Sequence, residues 1–365
     1  MKEIDIKFAP LCDWNIFSKD GFPIISGPCS AENLDQVLTT ASHIARIGIN
    51  VFRAGLWKPR TRPGAFEGVG KRGLPWLAEA KEKFGLKTIV EVASKQNVED
   101  ALSHGVDMVW IGARTTSNPF LVEELAQALK DSNIPVLVKN PISPDLNLWI
   151  GAIERFSRVG IKKIGAIHRG FYPFDKTKYR NEPNWETALM LRSLYPELPI
   201  FVDPSHIAGD KRYIREISQK AIDFGFDGLM IECHNDPSNA LSDKVQQVSP
   251  MELENILKRE LVFRTINLEK EDSIDISCLR AQIDSLDKKI LYYLSLRMKT
   301  CAKIGESKRN QKIAIFQKSR WQSLLDSNIK EGKELGLPIH LVRNIYNLIH
   351  QESILLQTHV IGNDE

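Results

Sequence analysis

The stretch Pro23–Gly55, PIISGPCSAENLDQVLTTASHIARIGINVFRAG, holds two short apolar runs, PIISG and NVFRAG, on either side of the longer helical pattern LDQVLTTASHIARIG. A strand with one wet face alternates apolar and polar residues. A strand covered on both faces, as in a parallel sheet under helices, reads as a nearly continuous apolar run. The segment is therefore a β–α–β unit, and the same alternation continues outward to about Asn267. Further strand-like runs are TIVEVA, MVWIGA, PVLVKN, KIGAIHRG, PIFVDPS and GLMIECH, with helical patterns such as LPWLAEAKEKFG, FLVEELAQALKDS, LWIGAIERFSRVG and RYIREISQKAIDFG between them. Eight such units over about 250 residues predict an α/β fold, a closed (β/α)8 TIM barrel. An open doubly wound sheet is the competing layout, but no G-x-G-x-x-G follows the first strand.

The pattern changes after the eighth unit. NLEKEDSID, Asn267–Asp275, is charged and lacks apolar periodicity, so it reads as a linker. Beyond it lie three helical stretches, at about 274–309, 316–335 and 338–359, with no strand signal among them. Gly336-Leu337-Pro338 places a helix stop before a proline suited to a new first turn. The predicted organisation is a barrel over 1–266, a linker over 267–275 and a small all-α helical domain over 276–365.

The chain has 365 residues, 42% of them hydrophobic and 26% charged, with a net charge of +3. That is a globular composition, and the charge is too small to argue for nucleic acid, so any anion binding must come from local clusters of Arg and Lys. No segment approaches the ~20 apolar residues of a membrane span, and the N-terminus has no continuous apolar run of the signal-peptide kind. Five scattered cysteines suit a reducing cytoplasm better than a disulfide framework.

In a barrel of this kind the C-terminal ends of the strands and the loops after them face the active site. Those positions carry Cys29; Arg53, Lys58, Arg60 and Arg62; Glu91; Arg114; Lys139; His168 and Arg169; Asp203 and His206; Glu232 and His234; and Asp243. Two chemistries separate within the set. Cys29, His206, Glu232 and Asp243 offer thiolate, imidazole and carboxylate donors, which suit one divalent ion such as Mn, Fe, Co or Zn. Their wide separation matches a site assembled from several loops rather than a structural zinc site. Spacing alone leaves open that Cys29 is a packed small hydrophobe and His206 a loop hydrogen-bonder. The second chemistry is anion binding: RAGLWKPRTRPG with Arg114, Lys139 and Arg169 exceeds what one carboxylate needs and implies phosphorylated substrates.

GPCSAE, FRAGLWKPRTRPGAFEG, IGART, VLVKNP, IHRG, DPSHIAGD, IECHNDP and ALSDKVQQ, in this order over about residues 20–265, closely resemble 3-deoxy-D-arabino-heptulosonate 7-phosphate (DAHP) synthases of the short I-beta type. The resemblance implies that Cys29, His206, Glu232 and Asp243 are metal ligands. It implies that Arg53, Lys58, Arg114, Lys139 and Arg169 hold phosphoenolpyruvate, and that Arg60 and Thr61 meet the phosphate of erythrose 4-phosphate. Lys58 and His168 are the candidate proton carriers. The sister synthase that uses arabinose 5-phosphate has K-A-N-R-S where this chain has KPRT.

In the tail, Leu and Ile at helical spacing alone are consistent with a simple dimerisation hairpin. Arg297 and Lys308 are 11 residues apart, about three turns, and so project from one helix face. Arg280 lies 17 residues before Arg297, roughly 25 Å along the axis, too far for one small ligand to be gripped by both from a single helix. A dimer with antiparallel first helices would bring Arg280 of one chain towards Arg297 of the other. LRAQIDSLDKKILYYLSLRMKTCAKIGESK, followed by ESILLQ, resembles the all-helical chorismate mutases over about residues 274–360. That resemblance implies an intertwined dimer whose pocket is lined by Arg280, Arg297, Lys308, Arg320, Ser353 and Gln357. The arginines would bind the two carboxylates of chorismate, while Lys308 and Gln357 would hydrogen-bond its ether oxygen. The family often has acidic residues where this chain has Gln317 and Trp321, at the positions that hold the substrate hydroxyl. Two roles are carried forward for the tail: a working mutase, or a module that senses chorismate or prephenate and regulates the barrel.

Overall fold

The computed structural model describes residues 6–18, 21–58, 64, 66–173, 177–264 and 274–362. Eight parallel strands close into a barrel in sequence order: β1 (Ile24–Gly27), β2 (Val51–Arg53), β3 (Lys87–Val92), β4 (Met108–Ile111), β5 (Val136–Lys139), β6 (Ile164–His168), β7 (Ile200–Val202) and β8 (Gly228–Glu232). The seam is the pairing of β1 with β8, where Gly27 stands opposite Glu232. Around the strands run α1 (Leu34–Arg46), α2 (Leu74–Phe84), α3 (Lys95–Ser103), α4 (Ala113–Thr116), α5 (Pro119–Leu129), α6 (Leu146–Arg158), α7 (Trp185–Leu194), α8 (Pro204–Ala208), α9 (Ile214–Asp223) and α10 (Pro250–Asn255).

The apolar runs supply two cores because successive strand residues point to opposite sides. Ile25, Val51, Ile89, Met108, Trp110, Leu137, Ile167, Phe201 and Met230 fill the lumen together with Trp14 and Ile16. Their neighbours along the strands, among them Phe52, Val90, Val109, Val138, Ala166, Val202 and Ile231, pack outward against the helices. Gly165 keeps the lumen open to Trp14, since a Cβ there would lie 2.7 Å from Leu137 and 3.1 Å from the Trp14 ring. Gly27 sits at φ +144°, and a Cβ on it would meet the Arg53 carbonyl at 2.1 Å. A side chain there would jam the turn that carries Pro28 and Cys29 onto the barrel mouth.

Chain contacts divide the molecule into two units, Met1–Ile266 and Asn267–Glu365. The second is made of three helices, α11 (Ile274–Gln311), α12 (Lys318–Glu334) and α13 (Ile339–Gly362). Leu337 donates its backbone N–H to Gly332, and Gly336 takes positive φ, so the glycine and proline end α12 and start α13 as their types dictate. Gly305 of α11 lies against Gln357 of α13, where a Cβ would come within 3.3 Å of it. Leu279, Ile283, Leu286 and Ile290 of α11, spaced four, three and four apart, are exposed. No helix of the described residues is long and apolar enough to cross a membrane.

Candidate active site

The lumen-facing parity continues past the apolar layers to the strand ends. In β2, β5, β7 and β8 the next inward positions after Val51, Leu137, Phe201 and Met230 are Arg53, Lys139, Asp203 and Glu232, all buried. They pair in place: Arg53 Nη2 lies 3.0 Å from Glu232 Oε1, and Lys139 Nζ lies 2.8 Å from Asp203 Oδ2. Both cations stand over Trp110, Arg53 at 4.9 Å and Lys139 at 5.7 Å from the ring centre. Trp110 is thus an aromatic floor under two charges, fixed by the hydrogen bond from its Nε1 to Glu91 Oε2 at 3.1 Å. Asp203 also caps α8, accepting from the His206 backbone N–H, and its Oδ2 lies 2.7 Å from His206 Nδ1. Burial opposes the Asp203 charge, but His206 and Lys139 outweigh it and hold the carboxyl far below its usual range.

Cys29, Glu232 and Asp243 place one donor atom each within 4.8 Å of the others. His206 is not part of that set, although its Nε2 lies 3.8 Å from Glu232 Oε1. The Cys29 backbone N–H donates to Gln247 Oε1 at 2.8 Å, and its thiol donates to Asp243 Oδ2 at 3.2 Å. Lys58 Nζ lies 2.9 Å from the Cys29 sulfur. Burial, helped by the Glu232 charge and opposed by Lys58, pushes the Cys29 thiol up to about 12. Asp243, at φ +46°, stays ionised because His206, Arg180 and Lys58 overcome the cost of burial. Glu232 Oε1 is buried without a hydrogen-bond partner; Arg53 approaches it at ion-pair distance but not in hydrogen-bond alignment. An orphaned carboxylate oxygen, a second carboxylate and a thiol drawn within 4.8 Å of one another, with an imidazole beside Glu232, fit a borderline divalent ion.

The basic side of the site is built around Arg169. Its backbone N–H donates to Asn140 Oδ1 at 2.7 Å and its Nη1 to Asn181 Oδ1 at 2.8 Å. Burial pulls Arg169 down to about 10, with the charges of Arg180 and Arg114 acting the same way against Asp203 and Asp243. Arg53, Lys58, Lys139 and Arg169 are thus drawn together near the donor cluster, with Arg114 on the short helix α4 close enough to act on Arg169. Arg60 and Thr61 lie outside the described residues.

His168 is not brought to this cluster. It follows Ile167, which faces the lumen, and so it points outward into the helix layer, fully buried among Trp149, Phe171 and Trp185. Burial drives its pKa down to about 3, so the ring is a neutral packing element. Conversely, the sequence reading passed over Arg180 and Gln246. Arg180 Nη1 donates to Asp243 Oδ1 at 3.0 Å and to Gln246 Oε1 at 2.6 Å, and Gln246 Nε2 donates to Glu232 Oε2 at 2.7 Å. One arginine therefore braces both carboxylates. Gln246 was visible inside ALSDKVQQ, whereas Arg180 sits in the long connection after β6, where no periodicity flags it. Trp110 was legible from the inward parity of β4.

In the helical unit, Arg297, Cys301, Gly305 and Lys308 follow one another along one face of α11 and meet the face of α13 that carries Ser353 and Gln357. Arg297 Nη1 donates to Ser353 Oγ at 2.7 Å, and Lys308 Nζ donates to the Ile315 carbonyl at 2.5 Å. Ser353 and Gln357 are buried, and Gln357 Oε1 has no hydrogen-bond partner. Arg280 and Arg320 are exposed. Trp321 stacks on His350 with ring centres 3.8 Å apart and an interplanar angle of 7°.

Residues 13–263 match the family model of the DAHP synthetase I family, and residues 279–358 that of chorismate mutase type II. A phospho-2-dehydro-3-deoxyheptonate aldolase of Thermotoga maritima is 33% identical over 227 residues, 62% of this chain and 65% of that protein, so the match spans slightly under two thirds of the relative. A 2-dehydro-3-deoxyphosphooctonate aldolase of Desulfatibacillum aliphaticivorans is 29% identical over 265 residues, 66% of this chain and 91% of that protein. The crystal structure of the Thermotoga maritima aldolase, also titled DAHP synthase, superposes with a TM-score of 0.61 at 30% identity, covering 69% of this chain and 75% of that one. A truncated form of the Thermotoga maritima synthase gives a TM-score of 0.60 at 27% identity over 69% of this chain and 90% of that one.

Proposed function

Because the chain belongs to the DAHP synthetase I family and carries a chorismate mutase type II segment behind the barrel, we propose that it is a bifunctional enzyme. The barrel condenses phosphoenolpyruvate with erythrose 4-phosphate to DAHP and phosphate, and the helical unit rearranges chorismate to prephenate. The observation that carries the first activity is the Cys29–Glu232–Asp243 donor cluster beside buried Arg53, Lys139 and Arg169. A divalent ion held by Cys29, His206, Glu232 and Asp243 would supply Lewis acidity to polarise the aldehyde oxygen.

The chain's own residues do the rest. Two multiply charged anions must lie side by side, and Arg53, Lys58, Arg114, Lys139 and Arg169 hold phosphoenolpyruvate against that repulsion, while Arg60 and Thr61 take the sugar phosphate. Lys139 and Arg53 cannot swing away, because Asp203, Glu232 and the Trp110 face fix them. Lys58 keeps its proton: burial works against the charge, but Cys29 and Glu232 outweigh it. Its Nζ lies 2.9 Å from the Cys29 sulfur, and the role of proton carrier falls to it rather than to His168. The new bond joins the enol carbon to the aldehyde carbon, water adds at the neighbouring carbon, and phosphate departs.

In the helical unit the rearrangement needs no nucleophile. Arg280, Arg297 and Arg320 are assigned to the carboxylates of chorismate, Ser353 to the placement of Arg297, and Lys308 with Gln357 to the ether oxygen, where negative charge grows as the C–O bond breaks. The exposed stripe of Leu279, Ile283, Leu286 and Ile290 supports self-association through α11, at least to a dimer. We also assign the tail a feedback role, in which prephenate or chorismate inhibits the barrel reaction, and place the protein in the cytoplasm.

A second reading of the barrel is favoured by the relatives named 2-dehydro-3-deoxyphosphooctonate aldolase, one of which matches over 91% of its own length. The sugar phosphate would then be arabinose 5-phosphate. The purified chain, supplied with phosphoenolpyruvate and either sugar phosphate, decides between them. Consumption of phosphoenolpyruvate with erythrose 4-phosphate is expected, and consumption only with arabinose 5-phosphate would overturn the first reading. Disappearance of chorismate in the same preparation tests the mutase; binding without conversion would leave the tail a sensing module.

A further inference from the structure

One polar atom in the helical unit has no assigned work. His350 Nε2 is buried and finds no hydrogen-bond partner among the described residues, a state that costs free energy unless a ligand or water completes it. Its place in the helix is not incidental. His350, Ser353 and Gln357 are related as i, i+3 and i+7, so all three project from one face of α13. The second orphaned atom of this unit, Gln357 Oε1, lies on that same face. Opposite are Arg297 and Lys308 of α11, near enough that their charges, after burial itself, hold His350 below its ordinary pKa.

The ring is also held. Trp321 lies parallel to it at 3.8 Å, and Phe316 is tilted against it with centres 5.9 Å apart. The resemblance to the chorismate mutases implies an acid holding the substrate hydroxyl where this chain has Trp321. With Arg297 directed at a carboxylate and with Lys308 and Gln357 at the ether oxygen, the ring hydroxyl is the polar group of chorismate left without a partner. His350 Nε2 and Gln357 Oε1 are the polar atoms of that face left without one, and His350 is the residue of the two with no contact assigned to it.

We infer that His350 is a substrate-contacting residue of the helical pocket, hydrogen-bonding the ring hydroxyl of chorismate through Nε2, with Trp321 as the positioning residue that fixes its ring. The inference rests on the mutase reading and extends it to how this chain manages without the acidic side chain. It is specific to the neutral imidazole, which can either donate or accept at that nitrogen.

The test compares the full-length protein with His350→Phe, which preserves the stack on Trp321 and removes the nitrogen, and with His350→Gln, whose amide restores a polar atom near the same place. Chorismate turnover is followed with KM and kcat separated, and circular dichroism with size-exclusion chromatography establishes that each variant is folded and assembled. His350→Phe is expected to raise KM about three- to tenfold, the range of one neutral hydrogen bond, with a smaller change in kcat. His350→Gln is expected to recover most of that loss. A His350→Phe enzyme with wild-type KM and kcat would make the residue a packing element and overturn the inference alone. If His350→Phe fails to fold, a His350→Gln enzyme as impaired as His350→Ala overturns it, because rescue by the polar isostere is what the contact requires. Should the wild-type chain bind chorismate without converting it, the calorimetric Kd replaces KM with the same expected order. A wild-type chain that neither binds nor converts chorismate would sink the mutase reading, and this inference with it.

Discussion

At the barrel mouth the charges are matched within the chain: Arg53 meets Glu232, Lys139 meets Asp203, and Arg180 meets Asp243. In the helical unit Arg297 donates to the Ser353 hydroxyl and the Cys301 sulfur and Lys308 to the Ile315 carbonyl, all neutral groups. The first arrangement is a rigid frame, because strand ends cannot move without breaking the sheet and each ion pair locks its neighbour. It positions side chains at the cost of desolvating them, and such pairs serve geometry more than stability. The second leaves Arg297 and Lys308 of α11 without an acidic partner among the described residues, which suits an incoming dianion that supplies the missing counter-charge. One site is assembled before its ligands arrive; the other is completed by its ligand, and on our reading by a second chain.

If the frame is that tightly interlocked, removing one donor should be catastrophic there and silent elsewhere. Cys29→Ala is expected to lower the synthase kcat by roughly a thousandfold, a loss of several kcal/mol of transition-state stabilisation, with circular dichroism unchanged. Exhaustive chelation should do the same to the wild-type enzyme and be reversed by divalent ions, while chorismate conversion in the same samples stays intact. Full synthase activity in a rigorously metal-free preparation would break the comparison at its first step.

The mirror experiment removes an uncompensated cation. Arg297→Ala should cut chorismate conversion by about a hundredfold, the scale of a lost charge-assisted contact in a partly desolvated site. Synthase activity without effectors should hold. Similar losses in both activities would show that the two units do not keep separate chemistry.

A smaller effect is expected one layer out. Gln246→Leu leaves every proposed ligand in place but takes away the donor to Glu232 Oε2 and one of the two groups that hold Arg180. Partners of this kind typically contribute ten- to a hundredfold in metal affinity. A roughly tenfold weaker Kd for Co(II), read from its thiolate absorption band, is the expected outcome. An unchanged Kd would mean that the frame does not depend on this brace.

The same contrast explains what the sequence could and could not disclose. Eight strands were legible because burial on both faces leaves continuous apolar runs, and of the four donors that the family resemblance implied, Cys29, Glu232 and Asp243 come within 4.8 Å of one another. Treating every strand end alike placed His168 with Lys139 and Glu232, although the alternation of side chains sends it to the other side of the sheet. Arg180 acts from a connection where position carries no periodic signal, and only the folded chain brings it to Asp243. In the tail, Leu279, Ile283, Leu286 and Ile290 read as core by spacing, yet a single chain leaves them exposed. Periodicity reports that a face is to be covered, without saying by what.

The smallest expected effect asks whether the two sites communicate. A ligand bound between Arg297 and Lys308 would supply the counter-charge that the described residues of the helical unit do not, and would thereby change which arrangement of α11 and α13 is favoured. Any such preference that differs between active and inactive barrels must appear as a coupling free energy, typically about 1–3 kcal/mol, which corresponds to a several-fold change or more. Prephenate should therefore reduce the synthase rate several-fold at saturation, and Arg297→Ala should abolish the effect while leaving the uninhibited rate unchanged. Linkage also requires the reverse: substrates of the barrel must weaken prephenate binding by the same factor, which calorimetry can measure directly. If the Arg297→Ala enzyme stayed as sensitive to prephenate as the wild type, the effector would have to act at the barrel. The uncompensated cations of the tail would then serve the mutase reaction alone.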